Sequence, residues 1–170
     1  MNASEKLIKR FRNREANIAV VGLGYVGLPL AVAFSEAGHH VTGIDSSEPK
    51  VDALKNGISY IDDVPSKKIL SLLNNRQKRP ICFASDYRSV ERSDAVIICV
   101  PTPLAKTGDP DISYILAAGE SIGAALAEDT LVVLESTTYP DATKELLAPL
   151  ISESEKGALT LGENVFLAYY

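Results

Sequence analysis

The most constraining feature of this sequence is the segment GLGYVG at residues 22–27. It follows a short apolar run and opens a helical pattern, so it is predicted to be the turn of a strand-turn-helix unit. Gly22 permits a tight turn, Gly24 lets the backbone approach a ligand, and Gly27 lets the helix pack closely on the strand. This arrangement predicts the first unit of a parallel sheet with helices on both faces.

The rest of the sequence alternates short β-branched runs with longer helical patterns. The predicted strands are 18–21, 40–44, 81–84, 95–100, 131–135 and 165–168. The predicted helices are 26–36, 48–55, 66–74, 112–127 and 141–152. The fold class is therefore α/β, a doubly wound, mostly parallel six-stranded sheet of the Rossmann kind. We expect residues 1–16 to form an amphipathic helical extension and residues 17–170 to form one domain.

Composition narrows the function classes. With 46% hydrophobic residues, a chain of 170 residues can bury one core. A net charge of -5 offers no basic surface for nucleic acid or an anionic membrane, so we expect neither partner. Cys82 and Cys99 are too few for a disulfide framework and lie in predicted strands, which favours inert, buried thiols and a cytoplasmic location. We expect no targeting segment and no metal site.

Asp45 ends the second predicted strand about 20 residues beyond the first glycine, where an acid accepts both hydroxyls of an adenosine ribose. The pyrophosphate would meet free N–H groups at the helix N-terminus. A 2′-phosphate would be repelled by the carboxylate, and Ser46 and Ser47 supply no arginine to hold it, so NAD is favoured over NADP. Asp45 could also cap the helix that begins near Glu48, and a glycine turn can serve packing alone.

The segment Val100-Pro101-Thr102-Pro103 ends the fourth predicted strand. The prolines would stop the strand and leave Thr102 exposed on a stiff turn, across the switch point from the glycine turn. We therefore expect a cofactor to pass beside it. The alternative is a rigid strand terminator with a surface threonine.

The segment ESTTYP at 135–140 ends the fifth predicted strand and leads into a helix. Any one of its hydroxyl-bearing residues could be an ordinary helix cap, but three in a row exceed what one cap needs. Thr137 would face the region where a nicotinamide should lie. Its hydroxyl could hydrogen-bond the cofactor, a water molecule or a substrate oxygen.

Taken together, GLGYVGLPLA, GID with a lysine five residues after its aspartate, KVDALKNGISYI, CVPTPL and ESTTYP resemble the UDP-glucose/GDP-mannose dehydrogenase family over nearly the whole chain. KVDALKNGISYI and LESTTYP look most like its UDP-N-acetylglucosamine 6-dehydrogenase branch, which supplies uronic acid sugars for bacterial surface polysaccharides. The resemblance implies NAD as cofactor. It also implies that Lys50 binds the adenosine side of NAD together with Asp45, although by itself Lys50 is an ordinary helix lysine. Thr137 becomes the one candidate catalytic residue. The predicted cofactor-binding set is Gly22, Gly24, Tyr25, Val26, Gly27, Asp45, Lys50, Val100, Pro101, Thr102, Ser136 and Thr137.

The resemblance also implies a reaction. Family members oxidise the primary alcohol at C6 of a UDP-sugar to a carboxylate, using two NAD and a cysteine nucleophile, and they form homodimers or larger assemblies. That cysteine belongs to a later glycine-rich segment without a counterpart here, and the family's Ser-Pro-Glu does not follow the last strand. Asp141-Ala142 also stands where the family has Pro-Gly. We therefore expect a truncated enzyme that turns over no nucleotide sugar alone.

Two other function classes fit parts of the sequence. A freestanding NAD-sensing or scaffolding module would explain the missing cysteine. A methyltransferase that uses S-adenosylmethionine shares a glycine-rich first loop and an acid on the second strand, but its glycine spacing is looser and it has no role for VPTP. His39 and His40 enter the second strand, far from the carboxyl ends where ligands bind, so we predict that both are non-catalytic.

Overall fold

The computed structural model describes residues 2–75, 80–104, 108, 110–136, 143–152 and 159–169. Within these ranges six strands form one sheet in the order β3-β2-β1-β4-β5-β6. Every pairing in this sheet is parallel, so the predicted doubly wound α/β fold is confirmed. The strands are β1 (Asn17–Val21), β2 (His40–Ile44), β3 (Cys82–Ala84), β4 (Ala95–Ile98), β5 (Thr130–Leu134) and β6 (Val165–Tyr169).

Helices cover both faces of the sheet. They are α1 (Ala3–Arg12), α2 (Gly27–Ala37), α3 (Glu48–Lys55), α4 (Ser66–Leu73), α5 (Ser113–Ala125) and α6 (Ala148–Ser152). Residues of β1 enter two separate cores, because successive side chains of a strand point to opposite faces. Ile18 and Val20 join the core with α2, α3 and α4, whereas Ala19 and Val21 join the core with α5 and α6. Burial on both faces explains why the strand is apolar throughout.

Most predicted element boundaries agree with the structure to within two residues. Three differences have a physical cause or change the type of element. The strand predicted at 95–100 ends at Ile98, because Pro101 and Pro103 have no N–H to continue the ladder. A 3₁₀ helix at Arg88–Arg92 was not predicted. The helix predicted at 141–152 is a π-helical turn, Thr143–Leu147, followed by α6; residues 141 and 142 lie outside the described residues.

The prediction that both thiols are buried was wrong for one of them. Cys99 is buried, just past the end of β4, but Cys82 is exposed. Phe83, the next residue of the edge strand β3, faces the core with α2, α3 and α4, so the Cys82 side chain points to the opposite face, where it is exposed. An apolar run does not reveal whether its strand is central or at an edge. Both cysteines are free thiols.

The N-terminal extension packs on the amino-terminal edge of the sheet. In α1 the side chain of Leu7 is buried, and Arg10 Nη1 lies 2.9 Å from Asp94 Oδ1 at the start of β4. His39 packs edge-on against the rings of Phe11 and Phe34, with centroids 6.0 and 6.4 Å away. The histidine therefore joins α1 to α2 at the end of the sheet opposite the glycine turn. No helix in the described part of the chain is both long and apolar enough to span a membrane.

Candidate functional site

The strand order creates a switch point between β1 and β4. The chain leaves β1 toward β2 on one side and leaves β4 toward β5 on the other, which opens a crevice at the carboxyl ends. A cleft of about 330 Å³ lies there. The described residues that line it are Gly22, Gly24, Tyr25, Val26, Asp45, Lys50, Cys99, Val100, Pro101, Thr102, Glu135 and Ser136. The structure thus brings together the predicted residues except Gly27, which lies beneath the turn, and Thr137, which lies outside the described residues.

Gly22 and Gly27 are required by the turn itself. Gly22 has a φ of 92°, and a Cβ there would lie 2.6 Å from the carbonyl oxygen of Cys99. A Cβ at Gly27 would overlap the carbonyl oxygen of Gly22, which is backbone and cannot move aside. These two glycines let β1, the start of α2 and the end of β4 touch through backbone alone.

Gly24 differs from its neighbours. A Cβ at this position would have no atom within 4 Å, and the residue lines the cleft. Nothing among the described residues therefore requires glycine at position 24. A bound group that approaches the backbone closely would require it, since the open space beside Gly24 is the space that a Cβ would fill. The cleft fits a pyrophosphate by this test.

The N-terminus of α2 opens on the same cleft. Its N-cap residue, Val26, provides no side-chain hydrogen bond, and the first turn contains no acidic residue. Free N–H groups and the helix dipole favour an anion at such an end. Tyr25 and Val26 are 76% and 57% exposed, so the rim of the cleft is apolar.

The carboxylate of Asp45 joins two loops at the end of β2. Oδ2 accepts a hydrogen bond of 2.9 Å from the N–H of Leu23 in the glycine turn, and Oδ1 accepts one of 2.9 Å from the N–H of Ser47. The Asp45 side chain is 11% exposed, and Lys50 Nζ lies 3.7 Å from Oδ2. Ser47, not Asp45, is the N-cap of α3, so the capping interpretation was wrong. Each oxygen keeps lone pairs for a further donor.

The turn after β4 is held by the turn after β5. The hydroxyl of Ser136 is buried and donates a hydrogen bond of 2.7 Å to the carbonyl of Val100. Its proton is therefore used to hold the backbone that leads to Pro101. Thr102 is half-buried at the cleft, which makes it less exposed than predicted.

Sequence reasoning missed two residues of the cleft, Cys99 and Glu135. Burial, and then the nearby carboxylate of Glu135, raise the pKa of the Cys99 thiol to about 12. The thiol is therefore protonated at neutral pH and is a poor nucleophile. Both residues directly follow a strand, β4 or β5. This position could have indicated that they line the cleft, because residues just past parallel strands lie at the same edge of the sheet.

Volume alone does not select this site. A groove of about 740 Å³ lies at the amino ends of β1 and β2, beside Asn17 and His40. Ligands of open α/β sheets bind at the carboxyl ends instead, so position and side-chain chemistry favour the cleft beside Gly24 and Asp45. Within the described ranges no group of three or more His, Cys, Asp or Glu residues could hold a metal ion.

The strand order, the glycine turn and the acid after β2 define a dinucleotide-binding domain of the doubly wound class. Residues 16–169 match the sequence model of the UDP-glucose/GDP-mannose dehydrogenase family, NAD binding domain. The chain belongs to this family, and its residues 16–169 form the NAD-binding domain. This membership removes the methyltransferase alternative.

Individual relatives agree with the family match. The chain is 39% identical over 153 residues to Protein CapL of Staphylococcus aureus, covering 90% of this chain and 34% of that protein. It is 32% identical to a UDP-N-acetyl-D-glucosamine 6-dehydrogenase of Salmonella typhi, covering 91% and 34%. The crystal structure of an NDP-N-acetyl-D-galactosaminuronic acid dehydrogenase from Methanosarcina mazei superposes with a TM-score of 0.83 at 30% identity, covering 99% and 37%. The chain thus spans about a third of the length of these relatives.

Proposed function

We propose that this chain holds NAD at the carboxyl edge of its sheet for the oxidation of the C6 alcohol of a UDP-sugar to a carboxylate. The observation that carries the proposal is the open space at Gly24 beside the uncapped N-terminus of α2. UDP-N-acetylglucosamine and UDP-glucose are the substrates we favour, because relatives that are 32% and 37% identical are named for 6-dehydrogenation of these sugars. The uronic acid product would serve surface polysaccharide synthesis.

Different residues of the cleft would bind different parts of NAD. Backbone N–H groups at Gly24 and the start of α2 would bind the pyrophosphate, and Asp45 would accept the ribose hydroxyls, with Lys50 beside it. Thr102 and the residues after β5 would lie along the nicotinamide half. Bound NAD accepts a hydride, and removal of four electrons from an alcohol requires two NAD in succession. Thr137 remains our candidate for contact with the sugar.

We infer that the nucleophile is supplied by sequence outside these 170 residues. Cys99 is buried and its pKa is raised, and Cys82 begins β3 at the amino-terminal edge of the sheet. Neither is suited to attack an aldehyde at the cleft. We expect the complete enzyme to act in the cytoplasm as a homodimer or larger assembly.

Turnover by the isolated chain tests this division of labour. We expect no NADH, followed by absorbance at 340 nm, when the chain is mixed with NAD and UDP-N-acetylglucosamine or UDP-glucose. The nucleophile, the acid-base groups and most of the sugar site would be missing. The Salmonella relative with the same UDP-N-acetylglucosamine solution is the positive control. Steady NADH formation by the isolated chain would show that these 170 residues contain the reaction centre.

A further inference from the structure

Tyr60 lies in the connection between α3 and α4 and touches the glycine turn. Its ring packs against the core on the α2 side of the sheet, and its hydroxyl donates a hydrogen bond of 2.9 Å to the carbonyl oxygen of Leu23. Burial, and then the charge of Asp45, raise the pKa of this phenol, so it stays protonated and remains a donor. The bond joins positions far apart in the sequence, and no motif pointed to it.

Both ends of Leu23 are therefore held by side chains. Its N–H donates to Asp45 Oδ2 at 2.9 Å, and its carbonyl accepts from Tyr60. The side chain of Leu23 is fully buried, which fixes the third direction. A residue between two glycines is otherwise free to rotate, because its neighbours have few steric restrictions.

The Tyr60 bond determines where the next N–H points. The carbonyl of Leu23 and the N–H of Gly24 belong to one peptide group, which is planar and trans, so they point in opposite directions. With the carbonyl directed at Tyr60, the Gly24 N–H is directed away from it. Gly24 lines the cleft, whereas Tyr60 is not among the described residues that line it. The Gly24 N–H donates to no other described residue.

We propose that Tyr60 is a positioning residue whose hydroxyl directs the Gly24 N–H toward the pyrophosphate of the bound dinucleotide. This role rests on the proposed function. Without the hydroxyl, the Leu23–Gly24 peptide would lose its anchor and could rotate before it binds phosphate. The cofactor would then have to order the turn at a cost in affinity.

The variant Tyr60→Phe isolates the hydroxyl. It keeps the ring, which packs against the core and lies 5.7 Å from Lys50 Nζ. We expect NAD affinity, measured by calorimetry, to fall roughly five- to tenfold, which is the loss of about one hydrogen bond. Adenosine affinity, measured by NMR titration, should stay unchanged, because Asp45 is intact and adenosine has no pyrophosphate. Tyr114→Phe, which removes the hydroxyl of an exposed tyrosine in α5, is the matched control and should change neither affinity.

Other outcomes have separate meanings. Equal NAD affinity in Tyr60→Phe and the unaltered chain would overturn the positioning role, and so would a proportional loss of adenosine affinity, which indicates general loosening. In the unaltered chain, inorganic pyrophosphate should shift the amide resonance of Gly24; an unmoved resonance would overturn the role even if the variant fails to fold. Failure of the unaltered chain to bind NAD would instead overturn the proposed function, and this role with it.

Discussion

We expect Gly24→Ala to weaken NAD binding at least roughly tenfold while the free energy of unfolding changes by less than about 0.5 kcal/mol. The added methyl group meets no atom within 4 Å in the protein, and Gly24 does not have a positive φ, so the fold should accept it. The same methyl group would fill the space that a pyrophosphate needs next to the backbone. Calorimetric titration of NAD and urea unfolding measure the two quantities on one sample.

This pair of measurements separates a ligand role from a packing role. An alanine variant that binds NAD as tightly as the unaltered chain would place the pyrophosphate elsewhere. A variant that unfolds more easily would show that Gly24 is needed for packing, as Gly22 and Gly27 are.

The second large effect is expected at Gly27, three residues along the chain. Gly27→Ala should lower the free energy of unfolding by about 3 kcal/mol or more, because its Cβ would overlap the carbonyl oxygen of Gly22. To remove this overlap, α2 would have to move away from β1, and the side chains of these two elements pack together in the core. The urea midpoint should fall with little change in slope.

Gly24→Ala is the matched control for this variant, since it adds the same methyl group in the same turn. Equal urea midpoints for the two variants would mean that the close contact between Gly27 and the carbonyl of Gly22 is not essential to the fold. NAD binding by Gly27→Ala should also fall, but only in proportion to the folded fraction and the displacement of the helix.

The strands, the fold class and most residues of the cleft could be predicted because they depend on local patterns. An apolar run before GLGYVG specifies a strand and a turn, and Asp45 after the next run specifies the neighbouring loop. Right-handed crossovers then leave few arrangements of the sheet. The ten predicted residues that line the cleft all follow strands whose carboxyl ends meet at one edge.

What could not be predicted depends on packing between distant segments. The bond from Tyr60 to Leu23 joins a loop to a turn, and the sequence of neither indicates the other. The exposure of Cys82 depends on β3 being at the edge of the sheet, which is a property of strand order. The hydrogen bond that the Ser136 hydroxyl donates to the carbonyl of Val100 likewise joins two loops that the sequence does not connect.

The preference of this cleft for NAD over NADP depends on the balance between Lys50 and Asp45. Lys50 is the one cation among the described lining residues, and it lies 3.7 Å from Asp45 Oδ2. Lys50 would attract the 2′-phosphate of NADP, but the Asp45 carboxylate, which would accept the ribose hydroxyls of NAD, would repel it. Asp45 already holds Leu23 and Ser47 in place, so it cannot turn away without breaking both bonds.

Parallel calorimetric titrations of the chain with NAD and NADP at one ionic strength test the central claim most directly. We expect NAD to bind and NADP to bind at least roughly tenfold more weakly, because the 2′-phosphate would replace a hydrogen-bond donor by a like charge beside Asp45. Equal or tighter binding of NADP, or the absence of NAD binding, would contradict the account.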